Sequence, residues 1–234
     1  MAIDTALLTQ LIRGAEKTFS NAEALYNEAC LLGAAGAFSR ALFLHQISLE
    51  ECAKTEVIGG NIMALLMGKA VDLERMRKAF LSHERKNRTN AYFLEPSAEE
   101  LAAREQGDVK KAANAFREIQ DQFHLESNSK KNASLYVDID DGTFVAPAEV
   151  ITAEMAHQAR ELNERYLGLT LPKLEMAQNI EKDPDEYQRS SMQFEKRMHE
   201  LKSEFPNDPV KALNIVMQEM LEERMRARAA RGDH

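Results

Sequence analysis

The chain has 234 residues, of which 44% are hydrophobic and 29% charged, and its formal net charge is −8. Ten glycines and six prolines are few for the many turns of a barrel or a sandwich, so the composition argues against an all-β fold. The acidic balance excludes a surface that is basic throughout, and the lack of an apolar run of about 18 residues argues against a membrane-spanning helix.

The first 95 residues contain no proline, which favours long unbroken helices. Apolar residues recur at steps of three and four over residues 4–32 and predict an amphipathic helix. A small-residue turn between Gly33 and Gly36 ends it, and a second helix is predicted from about 39 to 66. The short connection makes these two helices an antiparallel hairpin. A third helix is predicted over about 70–93.

Prolines and glycines divide the second half of the chain into shorter elements. Ser97 with Glu100 has capping-box spacing and opens a charged helix that Gly107 interrupts. Residues 135–145 alternate around Asp-Gly, which predicts a small hairpin or flap. Prolines 147, 172, 184 and 209 are predicted helix starts. We therefore expect a helical domain over residues 1–168 and a helical C-terminal extension over 169–234.

The second predicted helix carries the densest polar cluster in the chain. Arg40, Glu51 and Lys54 share one stripe of this helix with apolar residues, and the same helix also carries Glu50 and His45. On a straight helix His45 lies about 140° from Arg40. One interpretation is a set of surface ion pairs between Lys54 and the two glutamates. The other is a buried or interfacial polar site, because ionisable groups on a core-facing stripe are costly unless they are paired.

Histidines supply the remaining candidates for chemistry. His83 and Lys86 share a helix face, where neighbouring cations would help to hold a phosphate. Arginine precedes histidine by five to seven positions at Arg40–His45, Arg77–His83 and Arg117–His124. Glu154-x-x-His157 is half of a di-iron motif without a second half, so no metal site is predicted.

Features of the sequence bear on the compartment of the protein. The N-terminal stretch has an acid at Asp4 and no basic region before an apolar core, so we predict no secretory signal. Cys30 and Cys52 lack metal-ligand spacing and are predicted to be reduced in a cytoplasmic protein.

Three motifs in order resemble the AbiV family of abortive infection proteins, which is placed in the HEPN superfamily of helical domains. The first joins Arg40-Ala41 to Glu50-Glu51-x-x-Lys54. The second is His83-x-x-Lys86, and the third is Leu-Tyr-Val-Asp at 135–138. The resemblance spans roughly residues 20–165 and leaves the last helices uncovered.

The resemblance implies an all-α, HEPN-like antiparallel bundle that limits phage in the bacterial cytoplasm, as a homodimer and without a cofactor. Many HEPN proteins are metal-independent ribonucleases, in which a histidine takes the proton of the RNA 2′-hydroxyl while arginine holds the phosphate. On this basis we predict His83 as the general base, with His45 as the alternative. The predicted phosphate ligands are Arg40, Lys54 and Lys86, and Glu51 is expected to orient a cation. Glu50 and Arg77 are expected in the substrate site. The alternative is a non-catalytic protein that binds a phage or translation partner, with Glu50, Glu51 and Lys54 as a structural network.

Overall fold

The structure is a computed structural model that describes residues 3–206 and 208–231. These residues form an all-α bundle with one two-stranded sheet. The helices are α1 (Thr5–Ala34), α2 (Phe38–Leu66), α3 (Leu73–Leu81), α4 (His83–Asn90), α5 (Ala98–Glu105), α6 (Val109–Ala133), α7 (Pro147–Val150), α8 (Ala153–Lys182), α9 (Pro184–Glu204) and α10 (Pro209–Arg231). No helix in the described ranges has the length and apolar character needed to cross a membrane.

The core lies where α1, α2 and α8 pack together. The apolar stripe that predicted α1 is its buried face, and it meets the aliphatic residues of α2 and the end of α8. Gly36 takes the left-handed conformation that the tight turn between α1 and α2 requires, with φ +79°. The predicted hairpin of α1 and α2 is therefore confirmed.

Tyr166 joins this core to the polar layer formed by α4 and α6. Its ring is fully buried beside Leu49 and Cys52, and its hydroxyl donates to the Asn90 carbonyl at 2.7 Å. Cys52 and Cys30 are both free. Burial raises the pKa of Cys52 to about 12, so this thiol stays protonated at neutral pH.

The prediction of one continuous helix over 70–93 is wrong, because the helix is interrupted at Ser82. This residue is extended, with φ −91° and ψ 110°, and its hydroxyl accepts from the Arg85 backbone N–H at 3.2 Å. Ser82 therefore ends α3 and caps α4, which starts with His83. After α4 the chain continues into one 3₁₀ turn, Ala91–Phe93.

Two further helix boundaries differ from the prediction. The helix expected from Pro147 divides into α7 and α8, because Thr152 caps a new start. Pro172 lies inside α8 and starts no helix, since buried residues on both sides hold α8 to the core. α8 also crosses position 168 without interruption, so the division at 168 coincides with no break in secondary structure and stays a prediction.

The predicted hairpin is confirmed between β1 (Asp138–Asp140) and β2 (Thr143–Val145), which pair antiparallel. Asp141 and Gly142 form the two-residue turn, both with positive φ. At the other end of the chain, α9 and α10 pack on a small apolar cluster of their own around Leu201 and Val216. Arg197 on α9 bonds both oxygens of Glu219 on α10 at 2.9 Å.

Candidate functional site

The polar layer of the fold includes α4, an eight-residue helix without a single hydrophobic residue. Lys86, Asn87 and Asn90 are nonetheless buried against α2 and α6. Together with His83 they follow the i, i+3, i+4, i+7 spacing of a core-facing stripe, here made of polar groups. A stripe of this kind is stable only where each buried group has a partner.

Asn87 and Asn90 fix α4 to its two neighbours. The Asn90 amide donates to the Leu49 carbonyl on α2 at 2.8 Å. Asn87 Nδ2 lies 3.3 Å from Nδ1 of His124 on α6. These bonds set the position of the first turn of α4, where His83 and Lys86 reach the carboxylate of Glu50.

Glu50 is the point at which α2, α4 and α6 meet. Its oxygens lie 2.7 and 2.8 Å from His83 Nδ1, 2.6 Å from Lys86 Nζ and 2.9 Å from Lys131 Nζ. The Glu50 side chain is only 5% exposed, and those of Lys86 and Lys131 are 7% and 9% exposed. One buried carboxylate is therefore the shared counter-charge of two buried ammonium groups.

The electrostatics of this cluster favour an ionised Glu50. Burial by itself would raise the pKa of the carboxyl group, because a charge is less stable away from water. Hydrogen bonds and charges from Lys86 and Lys131 outweigh burial and lower the Glu50 pKa below its usual value. The carboxylate is therefore available as a permanent acceptor for the histidine.

His83 differs from the lysines because its side chain is 53% exposed. When its ring is neutral, Nδ1–H donates to Glu50 and the lone pair lies on Nε2. A buried carboxylate that orients an accessible imidazole is the arrangement of a general base with its positioning group. The predicted partners His83, Glu50 and Lys86 are thus brought together.

The Glu51–Lys54 pair lies one position further along α2. It is an i, i+3 ion pair that is partly buried, and Lys54 Nζ lies 5.7 Å from the centre of the Phe80 ring. The predicted pairing with Lys54 is therefore confirmed for Glu51, but the pair is partly buried and does not lie on the surface. It is wrong for Glu50, whose carboxylate is taken by α4 and α6.

The structure places the predicted arginines away from Glu50. Arg40 is exposed and donates to the Leu135 carbonyl at 3.4 Å, ahead of the hairpin. It precedes Glu50 by ten residues, about 15 Å along the helix axis. Arg77 is exposed on α3, where it bonds Glu74 at 2.9 and 3.0 Å.

His45 lies in a different environment, buried against α8. Asn163 Nδ2 can only donate, and it lies 3.2 Å from His45 Nδ1. The ring proton of His45 is therefore on Nε2. Burial and the charge of Arg160 lower the His45 pKa to about 4, so the ring is neutral at physiological pH.

Lys131 is the cluster member that the sequence interpretation missed. Its signal is a polar stripe on α6 with helical spacing, Gln120, His124, Ser127 and Lys131, of which three residues are buried. This stripe faces the polar stripe of α4. Within the described ranges, no three His, Cys, Asp or Glu residues group in a way that could hold a metal ion.

The ten helices and one small sheet of the described residues make this an all-α protein. Comparison with protein families gives a match to the HEPN_AbiV family, described as AbiV, over residues 10–168. The chain belongs to this family. The match includes Glu50, His83, Lys86 and Lys131 and leaves α9 and α10 outside.

Among curated proteins, the chain is similar to the uncharacterized protein y4gJ of Sinorhizobium fredii (strain NBRC 101917 / NGR234). The two are 42% identical over 118 residues, which is 50% of this chain and 62% of that protein. The chain thus matches less than two thirds of the length of this relative. No solved structure matches the chain significantly.

Proposed function

We propose that this protein limits phage by abortive infection, and that it does so as a metal-independent ribonuclease with His83 as general base. The observation that carries the proposal is the contact of 2.7 Å between His83 Nδ1 and the buried Glu50 carboxylate. This contact leaves Nε2 of a half-exposed ring to accept a proton. In this proposal the protein acts in the cytoplasm as a homodimer.

The proposed reaction needs one base and one cation. His83 Nε2 takes the proton of an RNA 2′-hydroxyl, and the 2′-oxygen forms a bond to the neighbouring phosphorus. The bond from phosphorus to the 5′-oxygen breaks, that oxygen takes a proton from solvent, and His83 releases the proton that it accepted to solvent. The products are a 2′,3′-cyclic phosphate and a 5′-hydroxyl. A cation near the phosphate stabilises the charge that develops on its oxygens.

Lys54 is the predicted phosphate ligand that best fits this role. It follows Glu50 by four residues on α2, so both lie on nearly the same side of the helix. Its ammonium is more exposed than those of Lys86 and Lys131, with 21% of its side chain accessible. Both Lys54 and Lys86 are paired with a carboxylate, but Lys86 is almost inaccessible, so in this proposal it acts through Glu50.

The buried lysines also support a second candidate function, that of a non-catalytic interaction protein. Lys86 and Lys131 each contact Glu50 and are almost inaccessible, as expected of a network that stabilises the fold. In this candidate, Glu51 and Lys54 also belong to the structural network, and the helices bind a phage or translation partner.

The substitution His83→Ala separates the two candidates. The ring is half exposed and the lysines still compensate Glu50, so we expect this variant to fold. The matched control is His199→Ala, which removes an exposed histidine from α9. Both variants and the wild type are tested for phage plaque formation and for cleavage of total RNA in EDTA.

Loss of RNA cleavage and of protection in His83→Ala alone supports the ribonuclease. Full protection by a normally folded His83→Ala protein contradicts it. Protection by wild-type protein that cleaves no RNA favours the interaction protein. Cleavage that EDTA abolishes would contradict the metal-independent mechanism.

A further inference from the structure

A cavity of about 760 Å³ lies beyond the end of α4, between the segment that follows this helix, α5 and the first half of α6. Its volume is in the range of about 300–1,000 Å³ that is typical of small-ligand sites. The lining is mainly apolar and includes Tyr92 and Phe116, whose ring centres are 4.8 Å apart. Glu50, His83, Lys86 and Lys131 are not among the residues that line it.

Glu100 is the feature that makes this cavity unusual. Its position in α5 predicts a capping box, in which its carboxylate would accept from the Ser97 backbone N–H. Only half of that box forms: Ser97 Oγ accepts from the Glu100 N–H at 3.1 Å. The carboxylate bonds Arg104 instead through Oε1.

The second carboxylate oxygen of Glu100 has no hydrogen-bond partner among the described residues. The side chain is 3% exposed, and Oε2 is buried without a hydrogen bond from any residue that the structure describes. A buried carboxylate oxygen in an apolar surrounding is unfavourable until a donor satisfies it. Glu100 is one of the lining residues, so a ligand that reaches its carboxylate from the cavity can supply this donor.

The charges around the cavity favour a cationic donor. Glu95 and Asp208 also line it, and Arg104 is the one cationic side chain among the described lining residues. The Arg104 guanidinium is already bonded to Glu100, and Glu95 is 3.7 Å from Arg165 outside the lining. The lining thus holds three carboxylates and one guanidinium.

We propose that the Glu100 cavity binds a ligand that joins an apolar body to an ammonium or guanidinium group. The apolar body lies against Tyr92 and Phe116, and the cationic group donates to Glu100 Oε2. The same chemistry is offered by a free amine and by a lysine or arginine side chain of a peptide. This site is independent of the ribonuclease proposal, since it shares no residue with it.

Three probes with one carbon skeleton test the charge preference on the full chain. They are 4-phenylbutylamine, 4-phenylbutan-1-ol and 4-phenylbutyrate, with binding measured by titration calorimetry at neutral pH. Because a charge-assisted hydrogen bond is about twice as strong as a neutral one, we expect the amine to bind about tenfold tighter than the alcohol. The carboxylate should bind more weakly than the alcohol.

Two variants locate the binding. Glu100→Gln should reduce the tenfold preference for the amine to about twofold or less, because the amide lacks the charge. Ala112→Leu should weaken all three probes by about tenfold or more by filling the cavity. Should either variant lose helicity, the wild-type ranking of the probes and the other variant still decide the question.

A capped amphipathic peptide with one lysine, compared with the same peptide carrying norleucine there, identifies the source. Tighter binding of the lysine peptide than of 4-phenylbutylamine assigns the cavity to a protein partner, and the reverse order assigns it to a free amine. Absence of binding by every probe would overturn the proposal. So would equal binding of the amine and the carboxylate, or an amine preference that survives Glu100→Gln.

Discussion

The charge balance at Glu50 leads to an asymmetric prediction for two substitutions. Glu50→Gln leaves the ammonium groups of Lys86 and Lys131, both more than nine-tenths buried, without a counter-charge. Removing one partner of a buried ion pair typically costs about 3–5 kcal/mol. Lys131→Met instead leaves a balanced Glu50–Lys86 pair and removes one charged hydrogen bond. We expect it to cost about 1–2 kcal/mol, since the desolvation of one charge is avoided as well.

Urea unfolding followed by circular dichroism at neutral pH measures both changes. Lys130→Met is the matched control, because Lys130 is the neighbouring lysine and its ammonium forms an exposed pair with Glu126 at 3.6 Å. It should change the free energy of unfolding by less than about 0.5 kcal/mol. The double variant Glu50→Gln/Lys131→Met should cost less than the sum of its parts, since it also removes one of the two repelling charges. A Glu50→Gln protein as stable as Lys131→Met would refute the reasoning.

Three further predictions concern single side chains. The His45 pKa of about 4 is below the ordinary 6.5, so the unfolded chain binds the proton first and acidification destabilises the fold. The free energy of unfolding should fall by about 2 kcal/mol between about pH 7.5 and pH 5, and His45→Leu should remove most of this pH dependence. Ser82→Ala should lower the free energy of unfolding by about 1 kcal/mol and should also reduce any RNA cleavage that depends on His83. Ser97→Ala should lower the free energy of unfolding by a similar amount and leave RNA cleavage unchanged. Tyr166→Phe should lower the free energy of unfolding in urea by about 1–2 kcal/mol, because the buried Asn90 carbonyl loses the hydrogen bond from the hydroxyl. Tyr136→Phe removes the hydroxyl of an exposed tyrosine and should leave the free energy of unfolding unchanged.

Much of the fold could be predicted from the sequence, because its strongest signals are local. Apolar periodicity without proline gave α1 and α2 within about two residues, and Asp141-Gly142 gave the hairpin turn. The break at Ser82 escaped because no glycine or proline marks it and α4 has no apolar residues that would indicate a separate helix. Pro172 misled for the opposite reason, since the packing of α8 overrides a local helix-breaking signal.

The candidate site could be predicted only in part, because its contacts join helices that are far apart in the sequence. Glu50 and Lys131 are 81 positions apart, and no local rule pairs them. Spacing along α2 suggested Lys54 as the partner of both glutamates, which holds for Glu51 alone. The signal that could have found Lys131 is the match between two polar helical stripes, on α4 and on α6.

The opposite environments of Glu50 and His45 decide which histidine can act as a base. The two residues are five positions apart on α2, about 140° around the helix, so they face different neighbours. On the side of α8, His45 has its one basic nitrogen engaged by Asn163 and a pKa of about 4, which leaves it a very weak base at neutral pH. On the side of α4, Glu50 holds His83 with Nε2 directed away from the bond and half of the ring in solvent. The ribonuclease proposal therefore depends on His83, and RNA cleavage that His83→Ala retains but His45→Leu loses would transfer it to His45.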